Sequence, residues 1–511
     1  MKEKKVAIID MGSNSIRLVI NKIDKDGRYT QLHNFKVVAR LSSHMTQKGH
    51  ISKEGISIII SSLLQFKNII TYHKVDQVNG VATAAVRRAE NQEEILTTIK
   101  KETGFSFRVL SEYEEAYYGY LAVVNSTNIE DGITIDIGGG STEITIFKNR
   151  KMIHYTSFPF GAITLKQQFM NDSEPLQENL DALTSFLTEQ YESLNWIVQS
   201  QLPVIGIGGT ARNLSLVHQR QVDYPLAGLH QYELTKEDVE STQTLFTSVN
   251  IEERQNIDGL SKDRTDIIIP AVQAILTLLD VTDSKTFTMS NKGLRDGLFY
   301  EEILTQLGLE HFPNVAEESF YQITHMYEIN LDHVKQVWKL AKSLYRQLIP
   351  YVNETSSEQE NDLSLLKYSA RMLYMGEFIS NEASSQHTFY LITNMSIDGL
   401  THQERLAIAL ISSFKSKSYL QKFADPFESF LTKQQLKQYE FLGAILKLAY
   451  ALNRTRRNVV TNISVMKETE DHFMMYFHCN DEYPFEEQLA NKYKKHIERL
   501  VNAKISLHFL S

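Results

Sequence analysis

The stretch VAIIDMGSNSIRLVI, residues 6–20, is nearly repeated as GITIDIGGGSTEITI, residues 132–146. In both copies an apolar strand runs into Asp-x-Gly, turns through small residues and leaves as a second strand. The two copies are related at a constant offset of 126 positions (136 − 10), which pairs Asp10 with Asp136, Gly12 with Gly138 and Ser15 with Ser141. The repeat predicts two related α/β units that face each other across a cleft.

The turn of each hairpin is a loop rich in glycine and serine, although two residues would suffice to reverse a strand. Backbone N–H groups and hydroxyls exposed by such a loop form a concavity that can hold phosphate oxygens. The aspartate at the end of each first strand can hold Mg²⁺ or orient an attacking water. An ordinary hairpin with a turn-favouring aspartate is the alternative, and the repetition weighs against it. The residues predicted to bind phosphate are Asp10, Gly12, Ser13, Asn14 and Ser15 in the first copy and Gly138, Gly139, Gly140, Ser141 and Thr142 in the second.

A third glycine-rich element, VIGIGGTARNLS, spans residues 204–215. A strand leads into Gly208, Gly209 and Thr210, where a helix is predicted to begin. The N-terminus of a helix is a favourable place for a phosphate. The element lacks the lysine of a Walker loop and the spacing of a dinucleotide fingerprint, so it predicts a phosphate contact and no known nucleotide motif.

Strand-like runs alternate with amphipathic helical segments through the first 305 residues or so, which predicts an α/β architecture. The segment LDHVKQVWKLAKSLYRQLIP (331–350) then begins a helical region, and NVVTNISVM (458–466) and HFMMYFHC (472–479) return to strand patterns. The predicted domains are 1–130, 131–305, 306–430 and 431–511.

Composition excludes several classes of protein. The 511 residues are 42% hydrophobic and 23% charged, as in an ordinary globular protein. Lysine and arginine total 53 against 62 acidic residues, and a net charge of −9 argues against non-specific binding of duplex nucleic acid. The single cysteine, Cys479, excludes an intramolecular disulfide and a cysteine-rich zinc site. No signal peptide or uninterrupted apolar run of membrane-helix length is evident, so we expect a cytoplasmic protein without a membrane partner.

Several stretches together resemble the exopolyphosphatase / guanosine pentaphosphate phosphohydrolase (Ppx/GppA) family of the actin-like ATPase superfold. They are DMGSNS (10–15), VATAAVRRAEN (81–91), VLSEYEEAYYGY (109–120), DIGGGSTEI (136–144), FPFGAITL (158–165), GIGGTARNL (206–214), DRTDIIIPA (263–271) and SNKGLRDGL (290–298). The resemblance implies two actin-like (ribonuclease H-like) domains, followed by a helical HD-like domain and a small C-terminal α/β domain. It also implies a homodimer.

The resemblance further implies roles for single residues. Glu115 is the expected catalytic base, and Arg87 is the expected ligand of the terminal phosphate. Asp136, which is also expected to act in catalysis, and Glu143 are the expected metal-associated carboxylates. Asp10, the counterpart of Asp136, completes the predicted Mg²⁺ ligands. Arg264 and Arg295 are either further phosphate contacts or salt bridges between domains.

One place departs from the pattern of the longer family members, which resemble an HD fold with a histidine–aspartate pair at a helix end. The corresponding stretch here is SARMLYMGEFIS (369–380), in which Leu373 and Tyr374 stand at the positions of that pair. Leucine and tyrosine cannot replace these ligands at a dinuclear metal centre. We therefore predict that the helical domain is not a second hydrolase.

These features predict an exopolyphosphatase that removes terminal orthophosphate processively from inorganic polyphosphate, using a glutamate-activated water and Mg²⁺ or another divalent ion. The alternative is a guanosine pentaphosphate 5′-phosphohydrolase. A non-catalytic regulator that binds polyphosphate or an alarmone, and a sugar kinase of the same superfold, are less favoured. The basic stretches RTRR (454–457) and KYKKHIER (492–499) are either a cationic track for a long polyanion or solvated helix faces.

Overall fold

The computed structural model describes residues 2–170, 177–352 and 359–510. The chain forms two compact units. Unit 1 comprises Met1–Tyr224 and Leu229–Val315, and unit 2 comprises Pro225–Gly228 and Ala316–Ser511. The division after Val315 falls ten residues beyond the predicted boundary at 305 (315 − 305). The finer division into four domains stays a prediction.

The first lobe of unit 1 is built on a five-stranded sheet with the order β3-β2-β1-β4-β5. Strands β1, β2 and β3 pair antiparallel, whereas β4 is parallel to β1 and β5 is parallel to β4. The elements are β1 (Lys4–Met11), β2 (Ser15–Ile23), β3 (Tyr29–Val38), α1 (Lys53–Tyr72), β4 (Gln77–Ala82), α2 (Ala84–Arg87), α3 (Gln92–Thr103), β5 (Phe107–Val109) and α4 (Glu112–Val124).

Helix α1 shows how the sequence fixes one of these elements. Ser52 precedes it, and the Ser52 side chain accepts a hydrogen bond from the amide of Gly55, which caps the helix. Its apolar face, which includes Ile59, Leu63 and Phe66, lies in the core of the first lobe. Among the described residues, α1 is the one helix that is long and apolar enough to cross a membrane by length and composition. The sequence prediction considered uninterrupted apolar runs only and did not single out this helix.

The second lobe is built on a six-stranded sheet with the order β10-β11-β9-β6-β7-β8. Its elements are β6 (Gly132–Ile137), β7 (Thr142–Lys148), β8 (Lys151–Phe158), α5 (Ala162–Phe169), α6 (Gln177–Glu192), β9 (Val204–Ile207), α7 (Gly208–Gln221), β10 (Tyr232–Thr235), α8 (Lys236–Thr247), α9 (Ile251–Arg254), α10 (Ile268–Thr282), β11 (Thr286–Met289) and α11 (Leu294–Leu307). Short 3₁₀ turns occur at Leu41–His44 and Lys262–Arg264.

The strand pairing of the first lobe is repeated in the second. Strand β6 is antiparallel to β7 and parallel to β9, as β1 is antiparallel to β2 and parallel to β4. The turns match as well: the Gly12 amide donates to the Ser15 carbonyl at 3.0 Å, and the Gly138 amide donates to the Ser141 carbonyl at 2.9 Å. The duplication predicted from the sequence is therefore a duplication of backbone structure.

Unit 2 contains a helical region and a small sheet. The helical elements are α12 (Val315–Met326), which begins at the last residue of unit 1, α13 (Leu331–Leu348), α14 (Gln359–Met372), α15 (Ser384–Asn394), α16 (His402–Ser412), α17 (Lys417–Ala424) and α18 (Lys433–Ala451), with 3₁₀ turns at Ile349–Tyr351, Met375–Phe378 and Asp425–Phe430. The sheet has the order β12-β13-β14 and is formed by β12 (Val460–Thr469), β13 (His472–Cys479) and β14 (Lys504–Leu510). Helices α19 (Pro484–Tyr493) and α20 (Lys495–Val501) lie between β13 and β14 in the chain.

Tyr374, at the position of the altered pair, lies between α14 and the following 3₁₀ turn. Its hydroxyl donates to the carbonyl of Phe414 at 3.0 Å, and its ring packs edge-on against Tyr450 with 5.0 Å between the centroids. The side chain therefore holds three helical segments together.

Helices α4 and α11 pack so closely that a glycine is required between them. A Cβ atom at Gly297 would overlap the backbone of Tyr118, including its carbonyl oxygen. Backbone cannot move aside as a flexible side chain can, so any larger residue must separate the two helices.

We expect Gly297→Ala to lower the free energy of unfolding by about 1–3 kcal/mol, because added volume in a packed interior forces its neighbours apart. The measurement is the first transition in urea unfolding of the purified protein. Thr305→Ala, an exposed site on the same helix, is the matched control and should leave that transition in place. Equal transitions for the two variants would contradict the close packing of α4 and α11.

Candidate active site

A cavity of about 210 Å³ lies between the two hairpin loops of unit 1. It opens where β1 and β6 end and where α7 and α11 begin. Predicted site residues make up half of its wall: Asp10, Gly12, Ser13, Asn14, Ser15, Glu115, Asp136, Gly138, Gly139, Ser141, Glu143, Gly208 and Gly209. Folding thus brings together residues that are up to 285 positions apart in the chain (295 − 10).

The two hairpin loops approach each other directly. A Cβ atom at Gly139 would lie 3.5 Å from the Cβ atom of Ser13 in the opposite loop. From the first lobe, Arg88 donates a hydrogen bond of 2.8 Å from Nη1 to the carbonyl of Gly140. Behind the second loop, a Cβ atom at Gly161 would lie 2.6 Å from the carbonyl oxygen of Gly138. Glycine is therefore needed at position 161, where the chain lies directly against the backbone of the second loop.

Each loop presents amides to the space between them. The backbone N–H groups of Ser13, Asn14 and Gly139, which line the cavity, donate to no other group in the described part of the chain. Unsatisfied amides from adjacent residues can converge on one anion. Phosphate binding by these loops stays a prediction.

Glu115 lies in the first turn of α4, which Ser111 caps by a reciprocal pair of hydrogen bonds with Glu114. Only 8% of Glu115 is exposed. Its Oε2 is 3.0 Å from Nη2 of Arg87, whose Nη1 donates to the Leu110 carbonyl at 2.8 Å. Burial raises the pKa of Glu115, and the Arg87 guanidinium acts in the opposite direction. A fixed, buried carboxylate with a raised pKa is suited to accept a proton near neutral pH.

The neighbouring glutamates have other roles. Glu112 is exposed, and Glu114 caps the helix and pairs with Arg108. Of the three acidic residues at the start of α4, only Glu115 lines the cavity. Because their side chains leave the first turn in different directions, helix geometry separates the candidate base from its neighbours.

Asp136 and Glu143 are directly paired across β6 and β7. Burial raises the pKa of Asp136 to about 6, although Arg264 and Arg295 oppose the change. Burial raises the pKa of Glu143 to about 8, and repulsion from Glu115 and Asp136 adds to the effect. Oγ of Ser157 donates to Oε1 of Glu143 at 3.0 Å.

Asp10 has a different environment from Asp136, its counterpart in the repeat. Its Oδ2 is 2.7 Å from Nη1 of Arg295 at the start of α11. The residue paired with Asp10 across β1 and β2 is Arg17, where the second copy has Glu143. The two hairpins thus have the same strand pairing and turn but carry different charges at this position. Arg295 therefore forms a salt bridge and also lines the cavity, and its contact with phosphate stays a prediction.

The start of α7 is shaped around the carboxylate of Asp136. Gly208 has a φ of +83°, and a Cβ atom there would overlap Oδ1 of Asp136. A Cβ atom at Gly209 would overlap the guanidinium of Arg264, which lies over this glycine. Nη1 of Arg264 also donates to Oγ1 of Thr210 at 3.3 Å. Two glycines therefore allow a carboxylate and a guanidinium to approach the helix terminus.

Four predicted site residues do not line the cavity: Arg87, Gly140, Thr142 and Thr210. Arg87 is paired with Glu115, and Gly140 lines an adjoining cavity. The buried hydroxyl of Thr142 donates to the Phe160 carbonyl at 2.8 Å. These residues support the site from behind its wall.

Sequence reasoning missed four cationic residues in the wall: Arg17, Lys36, Arg212 and Lys292. Arg17 could have been found by extending the repeat, because it stands 126 positions before Glu143 (143 − 17). Arg212 belongs to the third glycine element, two residues after Thr210. With Arg264 and Arg295 the wall carries six cationic and four acidic side chains, a formal excess of two positive charges (6 − 4). Such a cavity favours an anion.

The carboxylates also fit a divalent cation. The described residues contain no group of three or more His, Cys, Asp or Glu side chains that could enclose a metal by themselves. Mg²⁺, however, is commonly held by one or two carboxylates together with phosphates of the substrate. Asp136 and Glu143 provide two adjacent buried carboxyl groups whose mutual repulsion a cation would relieve. The donor set is therefore adequate only in combination with an anionic ligand.

Comparison with solved structures gives matches to about 60% of the chain. An Aquifex aeolicus member of the Ppx/GppA protein family is 29% identical, with a TM-score of 0.54, and the match covers 60% of this chain and 99% of that one. An exopolyphosphatase from Cytophaga hutchinsonii is 25% identical, with a TM-score of 0.55 and the same coverage. Together with the duplicated strand pattern, these matches confirm the predicted actin-like α/β fold.

The family comparison extends over both units. The Ppx/GppA phosphatase family matches residues 19–306, and domain III of Ppx/GppA phosphatases matches residues 315–494. The first match alone spans more than half of the chain and includes most of the cavity wall. The chain therefore belongs to the Ppx/GppA phosphatase family.

Proposed function

We propose that this protein is an exopolyphosphatase that releases terminal orthophosphate from inorganic polyphosphate. The observation that carries the proposal is the buried carboxylate of Glu115 in the wall of a cationic cavity, opposite two loops with unsatisfied amides. Family membership, and the similar structure of an exopolyphosphatase from Cytophaga hutchinsonii, support hydrolysis of a phosphoanhydride over mere binding.

In the proposed reaction the terminal phosphoryl group lies between the loops, with its oxygens on the free amides and on Arg212. Glu115 accepts a proton from a water that attacks the terminal phosphorus. The anhydride bond breaks, and the electron pair leaves with the shortened polyphosphate chain. Arg87 holds Glu115 in position through their 3.0 Å ion pair, which limits the directions from which the carboxylate can act. Repetition on the retained chain would make the enzyme processive.

We propose Asp136 and Glu143, with Asp10 beside them, as the residues that hold Mg²⁺. When bound, the ion would neutralise charge on the phosphoryl oxygens. In the part of the chain that the structure describes, Asp10 is the one of these three that forms an ion pair, with Arg295 2.7 Å away. Assays with Mg²⁺ and with a chelator in its place test this assignment.

The substrate is tested by a turnover panel that compares long-chain polyphosphate, tripolyphosphate and guanosine pentaphosphate under the same conditions. We expect the highest kcat/KM with long-chain polyphosphate. A strong preference for guanosine pentaphosphate would show that this nucleotide, and not polyphosphate, is the substrate. The proposed attack on a terminal phosphoryl group would be the same. The cytoplasmic location and the homodimer stay predictions of the sequence.

We expect Glu115→Gln to reduce kcat for phosphate release by at least about 10²-fold, because glutamine keeps the shape of the side chain and cannot accept the proton. The measurement is phosphate release at saturating polyphosphate. The matched control is Glu112→Gln, which removes the same charge from an exposed position in the same helix turn and should keep wild-type kcat. Equal rates for the two variants would exclude Glu115 as the base.

We expect Arg212→Ala to lower kcat/KM by about 10–100-fold, because a hydrogen bond to a charged group contributes about 1.5–3 kcal/mol. Arg212 is half-buried in the cavity wall and has no carboxylate within 4 Å in the described part of the chain, so its guanidinium is available to a phosphate. Arg220→Ala removes an exposed arginine from the same helix, α7, and should have little effect. Similar kinetics for both variants would show that Arg212 does not contact the substrate.

A further inference from the structure

Unit 2 contains a second cavity, of about 550 Å³, within the unit itself. Its wall is formed by the end of α18, the junction of α19 and α20, the loop before α17 and the start of α15. The volume is within the usual range of small-molecule sites. None of the residues of the candidate active site takes part in it.

The cavity concentrates positive charge in an acidic protein. Its wall contains five cationic side chains, Lys415, Lys447, Arg454, Lys492 and Lys495, and two acidic ones, Glu377 and Glu382. The formal excess is three positive charges (5 − 2). His496 adds no charge at neutral pH, because burial and the nearby lysines lower its pKa to about 4.

Carboxylates do not neutralise the four lysines. In the described part of the chain, none of the four has an acidic side chain within 4 Å. Two of them lie over aromatic rings: Nζ of Lys415 is 4.6 Å from the ring centre of Tyr419, and Nζ of Lys447 is 4.5 Å from that of Tyr493. A ring face stabilises a cation without cancelling its charge. The positive field therefore remains available to a ligand.

Lys447 is the most informative of these residues. Only 7% of it is exposed, and its ammonium donates to the carbonyl of Lys415. Burial and the positive charges of Lys495, Lys415 and Lys492 lower its pKa to about 8. A buried ammonium surrounded by like charges is costly, and a bound anion would relieve that cost.

The start of α15 adds a second feature that favours an anion. Residues 381–386, which include the first turn of this 11-residue helix, line the cavity. The N-cap residue is Ala383, which provides no side-chain oxygen for the first amides. A helix N-terminus without a cap presents free N–H groups and the positive end of its dipole.

We propose that this cavity binds the phosphate groups of a small phosphorylated ligand, at a site separate from the hydrolytic one. Phosphate oxygens would contact Lys447, Lys492, Lys495 and the first amides of α15. The same chemistry can come from a bare phosphate oligomer or from a nucleoside triphosphate, whose base has room in the remaining volume. The site does not depend on the proposed hydrolytic activity.

The test is isothermal titration calorimetry on the full chain with tripolyphosphate and, separately, with GTP. All variants carry Glu115→Gln so that the ligand is not consumed. Lys447→Met replaces the buried ammonium with an apolar side chain of similar length, and Lys492→Gln with Lys495→Gln removes two exposed charges without disturbing the core. Lys433→Gln with Lys437→Gln makes the same change of charge on the exposed part of α18 and is the control.

We expect a binding event whose affinity falls at least about tenfold in both cavity variants, which corresponds to about 1.4 kcal/mol. The affinity should stay unchanged in the control. Arg212→Ala, added to the same background, should leave this event intact. Tighter binding of GTP than of tripolyphosphate would show that the site also contacts the nucleoside. Equal binding would show that it recognises the phosphate groups alone. Titrations identical in the cavity variants and the control, for both ligands, would overturn the proposal.

Discussion

Four carboxylates share one small cavity with six cationic side chains, and the rest of unit 1 is arranged to keep them there. Burial alone would drive protons onto these carboxylates, as the raised pKa values of Asp136 and Glu143 show. Arginines from five different segments oppose this effect, four in the cavity wall (Arg17, Arg212, Arg264 and Arg295) and one, Arg87, behind it. Two of them, Arg87 and Arg295, form ion pairs with a carboxylate of the site.

The duplicated hairpin provides a symmetric backbone on which this charge is distributed asymmetrically. Both turns are closed by the same glycine-to-serine hydrogen bond, so both offer amides to an anion. The paired position on the second strand is Arg17 in one copy and Glu143 in the other. The same backbone position therefore carries a cation in the first copy and a second carboxylate in the other.

The two cationic cavities are built in different ways. The cavity of unit 1 relies on glycines that let backbone and a carboxylate come close together, and two of its carboxylates, Asp10 and Glu115, are paired with arginines. The cavity of unit 2 relies on lysines supported by tyrosine rings, and its charges are largely unpaired. Pairing at the first site holds groups in fixed positions for chemistry, whereas an unpaired cluster stabilises whatever anion enters it without orienting a reaction.

The sequence by itself determined the duplication, the loops and the α/β class, because strand periodicity and glycine-rich turns are local properties of the chain. It also marked Glu115, though only through the family resemblance, since an isolated acidic cluster on a helix looks the same whether it is solvated or buried. Tertiary structure alone decided that Arg87 holds Glu115, that Arg295 holds Asp10, and that Arg17 and Arg212 face the cavity. Ion pairs between residues as far apart as 10 and 295 leave no local pattern, because the distance that creates them exists only after the lobes have folded together.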